Sequence, residues 1–138
     1  MAEYEIIIAV LGVVGIGGVI ATSLTYIFEK RKQIKFSEQE EKEKRYKAMV
    51  LHMKCLLKPD DLKYMKLQRP DLENMADVKN EVETGWYNFL LFASDDVIRA
   101  LKKFVQKPDD LTYAETVIAM RKDLWNKKTS LRPEEINL

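Results

Sequence analysis

The sequence has one cysteine, Cys55, and one histidine, His52, in 138 residues. A lone cysteine excludes an intrachain disulfide and suits a reducing compartment. His52 and Cys55 are three apart and share a helix face, but zinc needs two further good ligands, and the chain has no other His or Cys. Nor do they make a nucleophile pair, because two side chains on one helix leave no pocket or oxyanion site around the thiol. The expectation is a partly exposed His52 and a Cys55 that packs as a small hydrophobe. Charge of one sign is also missing: 23 Lys and Arg face 22 Asp and Glu, a net +1. That balance argues against a nucleic-acid partner, which selects a strong basic excess. The acids are many, yet no spacing singles out an acid/base pair. No catalytic, cofactor-binding or metal-ligating residue is therefore expected, and the chain reads as a non-enzyme.

Glycine is scarce outside one segment, and so are interruptions by proline. Of 5 glycines only Gly85 lies beyond residue 18. The Gly-poor remainder, with its Met and Leu, has the composition of helices.

The longest absence is of charge itself. Residues 6–28 carry no Asp, Glu, Lys or Arg. That run is about 23 residues, roughly 35 Å of helix, enough for a hydrocarbon core of about 30 Å. Tyr4 and Tyr26 lie near its ends, where a ring can bury its body and wet its hydroxyl. The reading is a single transmembrane helix. A buried core helix is disfavoured, because the roughly 100 residues that remain make one small domain and could hardly surround it. A cleaved signal peptide stays open: Ala21, Thr22 and Ser23 resemble a cleavage site, but Glu3 and Glu5 stand where such peptides carry positive charge. A pilin-type leader lacks its basic pre-segment for the same reason.

Lys30, Arg31, Lys32 and Lys35 follow the run directly. By the positive-inside rule they put the C-terminal domain in the cytoplasm of a cell-membrane protein, and they can touch anionic lipid. Gly12, Gly15, Gly17 and Gly18 mimic a phosphate loop, but no Lys-Ser or Lys-Thr follows and no polar loop surrounds them. In lipid, Gly15, Gly17, Gly18, Ala21 and Thr22 instead form a face of small residues that lets a second helix approach, with Thr22 able to donate to a facing carbonyl. The expected partners are thus the lipid bilayer and, through this face, another copy or a membrane-complex subunit.

The organisation that results is a short extracytoplasmic N-terminus (1–5), a transmembrane helix (6–28), a charged juxtamembrane helix (29–45) and a cytosolic helical domain (46–138). In the charged stretch Glu38 with Lys42, Glu40 with Lys44, and Glu41 with Arg45 are spaced for intrahelical pairs, and Ser37 with Glu40 matches a capping box. No Pro or Gly intervenes between residues 29 and 58, so the first helix can also run straight through. Tyr46, Met49, Val50, Met53, Leu56 and Leu57 recur at helical spacing up to Pro59. Arg69-Pro70-Asp71 reads as the next helix start, with Leu72, Met75, Val78, Val82, Trp86, Phe89 and Leu90 on its face and Gly85 as a bend. Residues 86–92 would also serve as a strand on propensity. Ser94 reads as the cap of a helix whose inner face holds Val97, Ile98, Leu101, Phe104 and Val105. A last long helix begins near Asp109, with Leu111, Ala114, Val117, Ile118, Arg121, Leu124 and Trp125 inward, and Pro133-Glu134-Glu135 opens a final short turn. Lys58-Pro59-Asp60-Asp61-Leu62 recurs as Lys107-Pro108-Asp109-Asp110-Leu111. Two similar helix starts explain this better than a duplicated carboxylate site.

These amphipathic stripes need one another, so the fold class is all-α: an N-terminal transmembrane helix followed by a small antiparallel helical bundle. Arg121 at a core-facing phase needs a carboxylate, and Asp123 lies close, so the two are the candidates for a buried ion pair. The runs Ala93-Ser94-Asp95-Asp96-Val97-Ile98, Ala119-Met120-Arg121-Lys122-Asp123-Leu124 and Lys128-Thr129-Ser130-Leu131-Arg132-Pro133-Glu134-Glu135-Ile136, with Tyr113, resemble a loose family of uncharacterised microbial single-pass membrane-anchored helical proteins. The resemblance covers about the last third of the chain. It implies architecture and supplies no catalytic residue. The functional expectation is a membrane-tethered helical interaction module without catalytic activity. The alternatives are an accessory subunit of a larger membrane complex, or a small-ligand sensor or enzyme with a pocket between helices.

Overall fold

The computed structural model describes residues 2–125 and 129–138, with side chains from residue 17 onward. Among the described residues the chain is all-helical, with no strand. Helix α1 runs Ala2–Leu57, a 3-10 turn covers Pro59–Asp61, and α2 (Leu62–Gln68), α3 (Met75–Phe89), α4 (Asp95–Gln106) and α5 (Asp110–Trp125) follow, with a closing 3-10 turn at Pro133–Glu135. The chain divides into two compact units, residues 1–39 and 40–138.

The second unit is a helical bundle with one main core. Tyr46, Met49 and Met53 of α1 meet Val82 and Phe89 of α3, Val97, Leu101 and Phe104 of α4, and Ala119 and Met120 of α5. A satellite cluster joins Cys55, Leu72 and Val78. The expected faces of α1, α3 and α4 recur in these two clusters, except that Leu90, expected inward, is 48% exposed. Each rests on apolar spacing that admits one phase only.

The helix ends follow local chemistry. Pro59 cannot supply the N–H that would continue α1. Asn74 caps α3: its side chain accepts from the Asp77 N–H at 3.0 Å while Asp77 accepts from the Asn74 N–H at 3.4 Å. Ser94 caps α4 by accepting from the Val97 N–H at 3.4 Å. Asp109 caps α5, accepting from the Thr112 N–H at 2.7 Å. Its counterpart in the repeated motif behaves differently. At Asp60, which matches Asp109, the turn after Lys58 has no side-chain cap, and the following Asp61 faces Lys54 at 3.8 Å. Thr112 also donates its hydroxyl to Lys107 O at 3.0 Å, whereas Lys63, at the matching place, has no hydroxyl to offer. The two motifs are two helix starts of unequal quality.

Four expectations need correcting. Arg69-Pro70-Asp71 does not start a helix. Arg69 Nε and Nη2 grip Asp71 Oδ1 and Oδ2 at 3.0 and 2.8 Å, so the carboxylate that would cap a helix is committed backwards, and α3 waits for Asn74. Gly85 makes no break in α3. A Cβ there would lie 2.1 Å from Met49 Cε, so this glycine admits the methionine of α1. The stretch 86–92 is helix up to Phe89 and turn thereafter, and the Trp86 indole donates to Ile98 O at 3.0 Å, tying α3 to α4. Finally, α5 is rotated from its expected phase. Leu111, Arg121 and Trp125 are exposed while Thr116 and Met120 are buried. Burial of Thr116 is inexpensive because its hydroxyl donates to Thr112 O at 2.7 Å.

The first unit contains part of α1 only. Every side chain from residue 17 to residue 39 is exposed. Among the described residues no helix is long and apolar enough to cross a membrane. Side chains 6–16 of the charge-free run, Gly15 among them, lie outside those residues, as does Lys128.

Candidate functional site

Three places gather polar or uncovered groups. The first is a clasp on Asp123, which is 12% exposed. The Tyr46 hydroxyl donates to Asp123 Oδ2. Lys42 Nζ lies 2.9 Å from the same oxygen, and the Ser94 N–H donates to it at 3.4 Å. Burial, and then the hydrogen bond to Asp123, hold the Tyr46 phenol far above its ordinary range, so it stays a donor. Arg121 is exposed and takes no part. The pairing expected between Arg121 and Asp123 is thus corrected: Asp123 points into the bundle and finds Lys42. Two residues apart on a helix, side chains diverge by about 200° and cannot share one buried site. Nor does Lys42 pair with Glu38. Within α1, the intrahelical pairs formed among the described residues are Glu41 with Lys44 at 3.6 Å and Glu43 with Lys47 at 2.7 Å.

The second place surrounds His52. This residue is 7% exposed, against the partial exposure expected of it. Nearby, Arg69 bridges Asp71 and Glu81, the latter at 3.1 Å through Nη1. Burial pushes the imidazole below its ordinary pKa, partly opposed by Glu81, and keeps it neutral. Burial likewise pushes the Cys55 thiol up, so it packs as a hydrophobe and is a poor nucleophile. Arg69 itself is held above its ordinary range by Asp71 and Glu81. Among the described residues no group of three or more His, Cys, Asp or Glu is placed to hold a metal. A cleft lined by Leu56, Lys79, Val82, Glu83, Val105 and Pro108 holds about 160 Å³. That is small beside the roughly 300–1,000 Å³ of ligand pockets.

The third place is the uncovered part of α1. Val19, Ile20, Leu24, Tyr26, Ile27 and Phe28 are each between 45% and 67% exposed. At about 100° per residue they cover more than half the helix circumference. The remaining arc carries Gly18, Ala21, Thr22 and Thr25. Its hydroxyls are closed on the helix itself: Thr22 donates to Gly18 O at 2.8 Å and Thr25 to Ala21 O at 2.9 Å. With no second helix present, the Thr22 hydroxyl is thus satisfied within α1. A Cβ at Gly17 or Gly18 would meet nothing within 4 Å. Next along the helix, Lys30, Arg31, Lys32 and Lys35 are exposed. Lys30 Nζ sits 5.9 Å from the centre of the Tyr26 ring.

Sequence reasoning missed Lys42, Tyr46 and Ser94 around Asp123, and the Arg69 bridge. No local signal marks a contact between residues 77 positions apart, as Tyr46 and Asp123 are. No family model, curated protein or solved structure matches the chain.

Proposed function

We propose that this protein is a membrane-tethered helical interaction module without catalytic activity. Residues 6–28 anchor it by a single pass in the cell membrane, and the helical domain lies in the cytosol. The observation that carries this reading is the chemistry of α1 around residues 17–28. Large apolar side chains stand exposed over most of the circumference, no charge interrupts them, and the hydroxyls bond back to the helix. Water penalises such a surface, at about 25 cal/mol per Å² of apolar area. Lipid tolerates it, provided that polar groups are satisfied internally. The basic residues that follow set the orientation.

A second reading, association through the Gly17, Gly18 and Ala21 side with another copy or a larger membrane complex, draws support from the open space at both glycines. The sensor or enzyme reading has less behind it, because the cleft beside Leu56 is small and the polar atoms around Asp123 satisfy one another.

Membranes from cells expressing the full chain, washed with alkaline carbonate, test the anchor. The full chain should stay in the pellet, and a chain of residues 40–138 should not. Release of the full chain by the wash would end the proposal.

A further inference from the structure

The cations of α1 fall into two groups. Beyond residue 41, four of the five cations, Lys42, Lys44, Lys47 and Lys54, each have a carboxylate within 4.0 Å, and the fifth, Arg45, lies over the Phe92 ring at 5.5 Å. Among the described residues, Lys30, Arg31, Lys32 and Lys35 have none, although Glu29 and Glu38 are close in sequence. At about 100° per residue, these four span roughly 200° of the circumference, with Arg31, Lys32 and Lys35 within about 100° of one another. A helix lying flat on a surface gathers its cations on one flank of an apolar face. A helix crossing a headgroup layer meets phosphates on every side, and a basic arc broader than half the circumference suits it. Lys30 over the Tyr26 ring adds an aromatic at the same level, the usual arrangement at a bilayer interface.

We infer that residues 30–35 form a collar that selects anionic phospholipid headgroups from the leaflet bordering the helical domain. This rests on the anchoring reading above and goes beyond it, since an anchor needs only apolar length. The unpaired cations supply the selectivity. Each basic group near an anionic surface strengthens association by roughly five-fold, with strong dependence on salt.

The test uses the full chain reconstituted in phosphatidylcholine vesicles, with spin-labelled phosphatidylglycerol or spin-labelled phosphatidylcholine as the probe. Electron spin resonance reads the fraction of probe immobilised at the protein. Phosphatidylglycerol should be preferred about five-fold in low salt, falling towards one-fold near 0.5 M salt, where the screening length is only about 4 Å. The variant Lys30→Gln/Arg31→Gln/Lys32→Gln/Lys35→Gln should lose the preference while resisting a carbonate wash as the parent does. If that variant fails to insert, Lys32→Gln/Lys35→Gln and the salt titration of the parent give the same reading. A carbonate-resistant parent with no preference, or a quadruple variant that keeps it, overturns the collar and leaves the anchor standing. A parent removed by the wash overturns both.

Discussion

One helix, α1, lies in two units of the protein, and its side chains meet opposite conditions in them. From residue 17 to residue 39 every side chain is exposed, aromatic and aliphatic ones included. Further on, Tyr46, Met49 and Met53 are at most 3% exposed and form the centre of a core drawn from four helices. The backbone is the same, so the difference lies in pattern. Around residues 17–28 large apolar groups cover more than half the circumference, an arc too broad for one stripe to direct the helix against its own chain. From residue 46 onward the apolar groups recur at three and four, and one stripe suffices to define the bundle. That broad exposed apolar arc is the observation on which the proposed membrane anchor rests.

The comparison can be broken most directly by removing one aromatic from each region. Phe104→Ala, at a fully buried position of α4, should lower bundle stability by about 3–5 kcal/mol. Phe28→Ala, at a position 58% exposed, should stay within about 0.5 kcal/mol. Thermal melts of the full chain in detergent micelles would compare them. A large loss from Phe28→Ala would mean that the first region is packed against the protein after all.

A smaller effect is expected at the Asp123 clasp. Asp123→Ala strands the Tyr46 hydroxyl and the Lys42 ammonium and should cost about 2–4 kcal/mol. Asp123→Asn keeps an acceptor for Tyr46 and should lose about half of that. Arg121→Ala should be near neutral because Arg121 is exposed. Equal losses at 121 and 123 in denaturant titrations would restore the pairing read from the sequence.

The smallest effect concerns pH. His52 has a folded pKa below its ordinary 6.5, so the unfolded chain takes up the proton first. Its contribution to stability is fully present above pH 6.5 and declines as pH falls from there towards the folded pKa. His52→Gln should flatten that part of the stability profile. Asp71 and Asp109 have lowered pKa values, from hydrogen bonds to Arg69 and Thr112 respectively, and act at lower pH. Their contributions are present above about pH 4 and are lost as pH falls through the folded values. An unchanged slope just below pH 6.5 in His52→Gln would remove the imidazole from the account.

Much of the bundle was legible in the sequence. Ser94 and the Val97, Leu101 and Phe104 stripe define α4 almost completely, because cap and periodicity agree. The face of α1 from Tyr46 to Met53 was equally plain. The phase of α5 was not: Leu111, Tyr113, Val117, Ile118, Leu124 and Trp125 fall within about 160° of one another and define one face by spacing, yet Thr116, Ala119 and Met120 on the other side are the buried ones. Bulk favoured Leu111 and Trp125, whereas small Ala114 and Ala119 and the self-satisfied Thr116 are what fit the interior. The error over Arg121 follows from that rotation. The Arg69 loop was misread because Pro-Asp is also how a helix begins, and only the tertiary position of Glu81 shows where the guanidinium goes. At the candidate membrane site the apolar run and its basic flank were legible. The closed Thr22 hydroxyl and the lack of carboxylates around the collar needed coordinates.

The central claim is that α1 crosses the bilayer once and leaves the helical domain in the cytosol. A pair of reporters fused in turn after Leu138 tests it in a bacterial host: a fluorescent protein that matures only in the cytoplasm, and an alkaline phosphatase active only outside it. Fluorescence at the membrane without phosphatase activity is the predicted result. Phosphatase activity without fluorescence would contradict the orientation, and fluorescence spread through the cytosol would contradict the anchor.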